Sequence, residues 1–222
     1  MKKMDFTTDQ EVIAIFGRRG SGKTTKSIEL LEAAHRKRII VYDIKAEYPF
    51  KKLYGRAEFA RFMKTNWFKD FAVSYVPNAK EKPEHIRELS NLCYGIAQEQ
   101  HQNFTEHKAR NLTLLVEEMS ICAPNQRYKE GMGGFEYAVN LSRSWGVEII
   151  GVSQRPAQVN TDYRGNASQT YFYALADDLD ITAAKQKLGK NSELLKELPR
   201  HAYFLVDATG KVISGKNKAK FK

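Results

Sequence analysis

Gly17-Arg18-Arg19-Gly20-Ser21-Gly22-Lys23-Thr24 decides how this chain is read. The stretch fits the pattern Gly-x-x-x-x-Gly-Lys-Ser/Thr, and each fixed position has a physical reason. Glycine lets the backbone curl until successive N–H groups face one anion. Lys23 supplies a cation that reaches the β- and γ-phosphates, and Thr24 a hydroxyl for Mg²⁺. From average composition, a chance match in a chain of this length arises about once in a hundred. The flanks lower that further. Glu11–Phe16 reads as a short buried strand. Thr24–Arg36 carries Ile28, Leu30, Leu31, Ala33 and Ala34 at helical spacing, so the loop opens directly into the positive end of a helix. Gly17, Arg18, Arg19, Gly20, Ser21, Gly22, Lys23, Thr24 and Thr25 are therefore the candidate nucleotide-binding residues, with ATP and Mg²⁺ as the expected ligands.

Outward from the loop, apolar runs of strand length recur at Arg38–Ile44, Phe71–Val76, Leu112–Glu117, Val147–Val152, Thr170–Leu175 and His201–Val206. Helical patterns lie between them: one from Pro83 to about Gln102, one ending near Trp145, and Ile181–Leu188. The aromatic-rich Lys51–Asp70 is also expected to be helical, which makes residues 51–110 a candidate helical insertion. Ala123–Gly134 contains Pro124, Gly131, Gly133 and Gly134 and reads as a loop. Strands alternating with helices predict an α/β domain, residues 1–210, with a mostly parallel sheet covered on both faces. A basic tail, residues 211–222, would follow as a frayed, solvated end; it carries five lysines and no acid. Ligands of such sheets bind beyond the carboxyl ends of the strands.

Three further features fall at strand ends or beside them. Leu114-Leu115-Val116-Glu117-Glu118 runs a buried strand into two carboxylates, which are costly beside an apolar sheet unless a cation or ligand compensates them. Glu117 is the candidate metal group and Glu118 the candidate base for an attacking water. Gln154 ends the strand Val147–Val152, where a neutral amide would sense phosphate and water. Arg143, in Leu141-Ser142-Arg143-Ser144-Trp145-Gly146, is the candidate for neutralising charge on the γ-phosphate of a neighbouring subunit, with Arg155 and Arg164 as rivals.

Bulk properties set limits. A formal net charge of +10 favours a polyanionic partner, nucleic acid before an acidic membrane surface. No apolar run is long enough to span a bilayer, and Met1-Lys2-Lys3-Met4-Asp5-Phe6 has no apolar core of a secretory signal. Two cysteines, Cys93 and Cys122, make no disulfide framework and lack metal-ligand spacing.

Together the loop, Val41-Tyr42-Asp43-Ile44-Lys45-Ala46-Glu47-Tyr48, the Glu-Glu strand end and Gly146-Val147-Glu148-Ile149-Ile150-Gly151-Val152-Ser153-Gln154-Arg155-Pro156 resemble the FtsK–HerA superfamily of DNA-pumping ATPases. The resemblance covers about residues 11–206. In size, the chain looks most like the genome-packaging ATPases of tailless, internal-membrane-containing viruses of the tectivirus type. The resemblance implies a RecA-like P-loop NTPase core, a homo-oligomeric ring (a hexamer) and translocation of double-stranded DNA into a preformed capsid. It further implies capsid-vertex or small membrane proteins as partners, and a place in the host cytoplasm and at the packaging vertex of the virion. Carried over by position, Lys23 and Thr24 are the phosphate and Mg²⁺ groups, Glu117 and Glu118 the acidic pair, Gln154 the sensor and Arg143 the trans-acting finger. Glu117 stands where the family more often has Asp, so its metal contact is expected to be less direct.

The loop Pro124-Asn125-Gln126-Arg127-Tyr128-Lys129-Glu130 follows the acidic pair, and Arg127 and Lys129 are its candidate DNA contacts. Other readings of the P-loop remain: a phage assembly or secretion ATPase that moves protein, a small-molecule kinase, or a nucleotide-gated module with negligible turnover. A GTPase is disfavoured, because Asn217-Lys218 continues as Ala219-Lys220 and no Asn-Lys-x-Asp appears.

Overall fold

The computed structural model describes residues 10–217. The N-terminal segment read above for a signal, and Lys218, Lys220 and Lys222 of the basic tail, lie outside the described residues. One nine-stranded sheet organises the chain, in the order β3-β4-β2-β5-β6-β1-β7-β8-β9. Its strands are β1 (Val12–Phe16), β2 (Arg38–Tyr42), β3 (Lys51–Tyr54), β4 (Phe71–Val76), β5 (Leu112–Val116), β6 (Val147–Ser153), β7 (Gln169–Phe172), β8 (Ala202–Val206) and β9 (Val212–Lys216). The first seven are mutually parallel; β8 is antiparallel to β7, and β9 to β8. Every residue of β1, β2, β5 and β6 is buried, as expected of central parallel strands covered on both faces.

The helices are α1 (Lys23–Leu31), α2 (Gly55–Asn66), α3 (Lys82–Thr105), α4 (Met119–Cys122), α5 (Gly134–Leu141), α6 (Thr161–Asn166) and α7 (Asp178–Leu188). They cover the sheet unevenly. On one face α1 packs through Ile28 and Leu31 onto Ile13, Ile15, Val41, Leu115 and Ile150. The opposite core takes Met63 of α2, Leu89, Cys93 and Ile96 of α3, Met119 and Cys122 of α4, Phe135, Ala138 and Val139 of α5, Tyr163 of α6, and Ile181, Ala184 and Leu188 of α7. Cys93 and Cys122 are free and buried there. No helix among the described residues is long and apolar enough to cross a membrane.

Two local expectations are corrected. Lys51–Asp70 is not wholly helical: it opens with β3, parallel to β4, so residues 51–110 contribute two strands to the sheet and are not a helical insertion. Nor is the segment from Lys211 a frayed end, since Val212–Lys216 pairs with β8 along its whole length. Both strands are sheet edges of mixed polarity. Only Leu53 is buried in β3, and no residue is in β9.

Parallel direction gathers the carboxyl ends of β1 to β7 on one edge. Because β8 runs the other way, its start lies on that same edge, and so does the end of β9.

Candidate nucleotide-binding site

The loop 17–22 crosses from the end of β1 into α1. Gly17 N donates to Ser153 O (3.2 Å) and Arg18 N to Ala174 O (2.7 Å), so the ends of β6 and β7 anchor its first residues. A Cβ on Gly17 would fall 2.5 Å from Tyr173 Cβ, and one on Gly22 2.5 Å from Asn217 Nδ2 and 2.7 Å from His201 Nδ1. Gly22 also has φ 107°, which disfavours a side chain independently. The β8–β9 hairpin braces the loop from outside. Arg200 Nε donates to Gly20 O (3.3 Å), His201 N to Ser21 O (3.2 Å), and Asn217 Nδ2 to Gly22 O (2.9 Å). Tyr173 OH reaches the Asn217 side-chain carbonyl at 2.5 Å. A cavity of about 310 Å³ opens beside the loop, lined by Arg18, Arg19, Gly20, Ser21, Ala174 and Arg200. A larger one, about 610 Å³, lies between α2 and α3, toward the opposite side of the sheet.

Lys23 points back over the loop, its Nζ donating to Arg18 O at 3.0 Å. Burial is the main reason its pKa is drawn down to about 8; the charge of Lys45 adds to this, and Glu118 and Glu117 oppose it. Lys23 is therefore mainly charged at neutral pH but poorly solvated, as suits an ammonium awaiting an anion.

The acid pair sits one strand away from β6 and two from β1. Glu117 continues β5, only 4% exposed, with its N–H bonded to Tyr42 O at 3.1 Å. Burial above all, then Asp43, Glu47 and Glu118, push its carboxyl up to about 7 against the pull of Lys45. Glu118 turns away in a left-handed conformation (φ 52°, ψ 53°) and starts α4. Strain of this kind is held in place by its surroundings and gathers at functional sites. Gln154 Nε2 donates to Glu118 Oε1 at 3.1 Å, so the sensor candidate and the base candidate touch.

Lys45 was not singled out by the sequence reading, yet it joins both acids. Its Nζ donates to Glu118 Oε1 and lies 3.4 Å from Glu117 Oε1. The turn that carries it is tightly built. Asp43 accepts from Glu47 N (3.0 Å) and Tyr48 N (3.1 Å), Ala46 has φ 54°, and Tyr48 OH meets Ser27 Oγ of α1 at 2.8 Å. A cation directly after a buried strand was the available signal; its partners depend on a turn that no motif describes.

The donor set fits a nucleotide with its metal. Two buried polar atoms at this edge, Ser21 Oγ and Glu117 Oε2, have no hydrogen-bond partner. Natively buried polar atoms are nearly always paired, so both can accept a further partner. No group of three or more His, Cys, Asp or Glu among the described residues could hold a metal. Mg²⁺ is usually held by one or two protein oxygens together with substrate phosphates. Thr24, first-turn residue of α1, and Glu117 are the residues that would supply them.

The arginines separate. Arg143 lies in a 3₁₀ turn before β6, its Nε donating to Gln10 O at 2.6 Å. That is the amino-terminal edge, with the whole of β6 between Arg143 and its own P-loop. Arg164, in α6, donates to Val159 O (3.2 Å) and lines a cavity with Phe16, Pro156 and Phe172. Arg155 follows Gln154 directly but is ion-paired with Asp180 (2.7 Å) and Asp177 (3.1 Å) at the start of α7. Arg127 and Lys129 are exposed on a loop whose base is fixed, since Asn125 N bonds Gln158 O (2.8 Å) and Pro124 bridges Val159.

No family model and no curated protein matches the sequence. Solved structures do match in shape. The genome-packaging NTPase B204 of Sulfolobus turreted icosahedral virus 2, bound to sulfate, aligns over 96% of this chain and 99% of its own, with TM-score 0.69 and 15% identity. The same protein has been solved with ATP-γS. The pCW3 conjugation coupling protein TcpA aligns over 94% of this chain and 60% of its own (TM-score 0.59, 13% identity). The type VII secretion ATPase EccC of Thermomonospora curvata aligns over 93% of this chain but 25% of its own (TM-score 0.60, 15% identity). The chain therefore carries the P-loop NTPase fold that these packaging, conjugation and secretion ATPases share.

Proposed function

We propose that this protein is an ATPase that drives double-stranded DNA into a preformed viral capsid. The observation that carries the reading is the meeting of Lys23, Glu117, Glu118 and Gln154 on one edge of the sheet, with Gln154 bonded to the carboxylate of Glu118. The shape match along nearly the whole length of a packaging NTPase supports the packaging reading.

Loop N–H groups and Lys23 hold the β- and γ-phosphates. Thr24 and Glu117 hold Mg²⁺, whose charge offsets that developing on the phosphates. Glu118 orients the attacking water and takes its proton, while Gln154 fixes the Glu118 carboxylate. Arg143 lies too far along the sheet to serve its own site; by family resemblance it acts on the site of a neighbour in a ring, a hexamer.

The path from chemistry to DNA is short. Glu118 caps α4, a single turn, and Ala123 O then accepts from Asn160 N at 3.0 Å, six residues beyond Gln154. A change at Glu118 or Gln154 therefore reaches the base of the 124–130 loop, where Arg127 and Lys129 contact the duplex backbone. Such contacts are sequence-blind and salt-dependent. The ring sits at a capsid vertex, held by capsid or small membrane proteins, with assembly beginning in the host cytoplasm.

Triplex displacement tests translocation. ATP-dependent stripping of a third strand from long duplex DNA is expected, and its loss in Lys23→Ala. Replacing Arg127 and Lys129 with Ala is expected to weaken DNA binding and flatten its log-affinity slope against log salt by about 2. Turnover without displacement or DNA binding would turn the reading toward protein export.

A further inference from the structure

Lys45 has no part in the motif or in the reaction as described, yet it occupies the most charged point of the site. Its side chain is 41% exposed, while its ammonium faces two acids whose side chains are 5% and 12% exposed. The ion pair satisfies Glu118 Oε1, which Gln154 also holds, and leaves Glu117 Oε2 without a partner. The arrangement is not the resting place of a loose surface lysine. Three of the four non-glycine residues with positive φ among the described residues stand at this edge: Ala46 beside Lys45, Glu118 itself, and His201 against Gly22. The Lys45 turn is locked below by the Asp43 carboxylate and across to α1 by Tyr48 and Ser27.

Two carboxylates held this close repel, and without nucleotide there is no phosphate-bound cation to separate their charges. An ammonium between them removes the repulsion. It also restrains the base candidate, whose hydrogen bonds from Lys45 and Gln154 fall on one oxygen. A divalent cation drawn to the same pair must contend with that ammonium. Its exposure gives Lys45 a route out that buried Lys23 lacks.

We propose that Lys45 is a displaceable internal counter-ion: it restrains Glu117 and Glu118 while the site lacks nucleotide, and it yields the pair to the divalent cation that comes with ATP. It is a positioning residue for Glu118, and it keeps the acid pair from collecting free metal between cycles. The inference rests on the ATPase reading above, in which Glu117 is a metal group and Glu118 the base.

The test measures Mn²⁺ affinity by calorimetry, in nucleotide-free protein and in protein saturated with the non-hydrolysable analogue AMPPCP. Wild type, Lys45→Met, Lys45→Gln and Lys45→Arg are compared. Both neutral variants are expected to bind Mn²⁺ about tenfold more tightly than wild type when nucleotide-free. The gain is expected to shrink to less than about twofold with AMPPCP bound, where Lys45 has already left, and Lys45→Arg should resemble wild type. Two neutral variants guard against one that fails to fold, and the exposure of the side chain makes both tolerable. Unchanged Mn²⁺ affinity in the neutral variants, with wild type still binding AMPPCP, would overturn the inference alone. An equal gain with and without AMPPCP would also overturn it, because Lys45 would then act only as a distant charge. Failure of wild type to bind AMPPCP would instead remove the ATPase reading on which the inference stands.

Discussion

Glu117 and Glu148 are each 4% exposed, on neighbouring strands, at opposite ends of the sheet. Their surroundings differ completely. Arg36 grips Glu148 with Nε and Nη2, at 2.7 and 2.6 Å, and Thr113 Oγ1 donates to it at 2.8 Å. Arg36 also caps the end of the first helix through Leu30 O. Glu117 has a lysine at 3.4 Å on one oxygen and nothing on the other. A buried carboxylate with a bidentate arginine and a hydroxyl is a finished structure. One left half-satisfied, with its carboxyl pushed up to about 7, is what the proposed metal role calls for. Arg38, at the amino end of β2, also has buried N–H groups without acceptors, but its guanidinium lies 4.8 Å from the centre of the Trp67 ring, whose electron-rich face attracts the charge.

The contrast can be broken most easily at Glu148. Arg36→Ala strands a buried charge, a change that costs about 3–5 kcal/mol. For a chain of this size that lowers Tm by roughly 10 °C. Nucleotide affinity measured well below Tm is expected to stay near that of wild type. A loss of nucleotide binding without loss of stability would show that the amino edge is not merely structural.

Glu117 should behave in the opposite way. Its folded pKa is raised from 4.5 to about 7, so the folded protein holds the proton where the unfolded chain has lost it. Stability from this group is present below about 4.5 and is lost as pH rises to about 7, a term of roughly 3 kcal/mol at most. Glu117→Gln is expected to flatten that part of the Tm–pH curve and to leave nucleotide-free protein at pH 8 as stable as wild type or more so. Stabilisation by Mg²⁺ with AMPPCP should fall at the same time. A marked loss of nucleotide-free stability at pH 8 would make Glu117 a structural acid like Glu148.

Much of this division was legible in the sequence. The P-loop, the acid pair and Gln154 follow buried strands, and strand direction alone sends them to one edge. Lys45 was not legible, because its position depends on Asp43 capping a turn and on a left-handed Ala46, neither of which leaves a period or a motif. The edge strands β3 and β9 were missed for a different reason. Lys51-Lys52-Leu53-Tyr54 and Val212-Ile213-Ser214-Gly215-Lys216 each face solvent on at least one side, so they lack the apolar run by which central strands are recognised. Arg143 reads as acting in trans from its place in the chain, and it stands at the edge of the sheet away from its own P-loop.

The measurement closest to the central claim is ATP turnover by purified protein, with and without long double-stranded DNA, for wild type, Lys23→Ala and Glu118→Gln. Duplex-stimulated turnover is expected in wild type. Glu118→Gln should lose about 10²–10⁴-fold in rate while still binding nucleotide, and Lys23→Ala should lose binding as well. Turnover that survives Glu118→Gln would contradict the assignment of the carboxyl edge as the hydrolytic site. Turnover indifferent to duplex DNA would contradict the DNA pump.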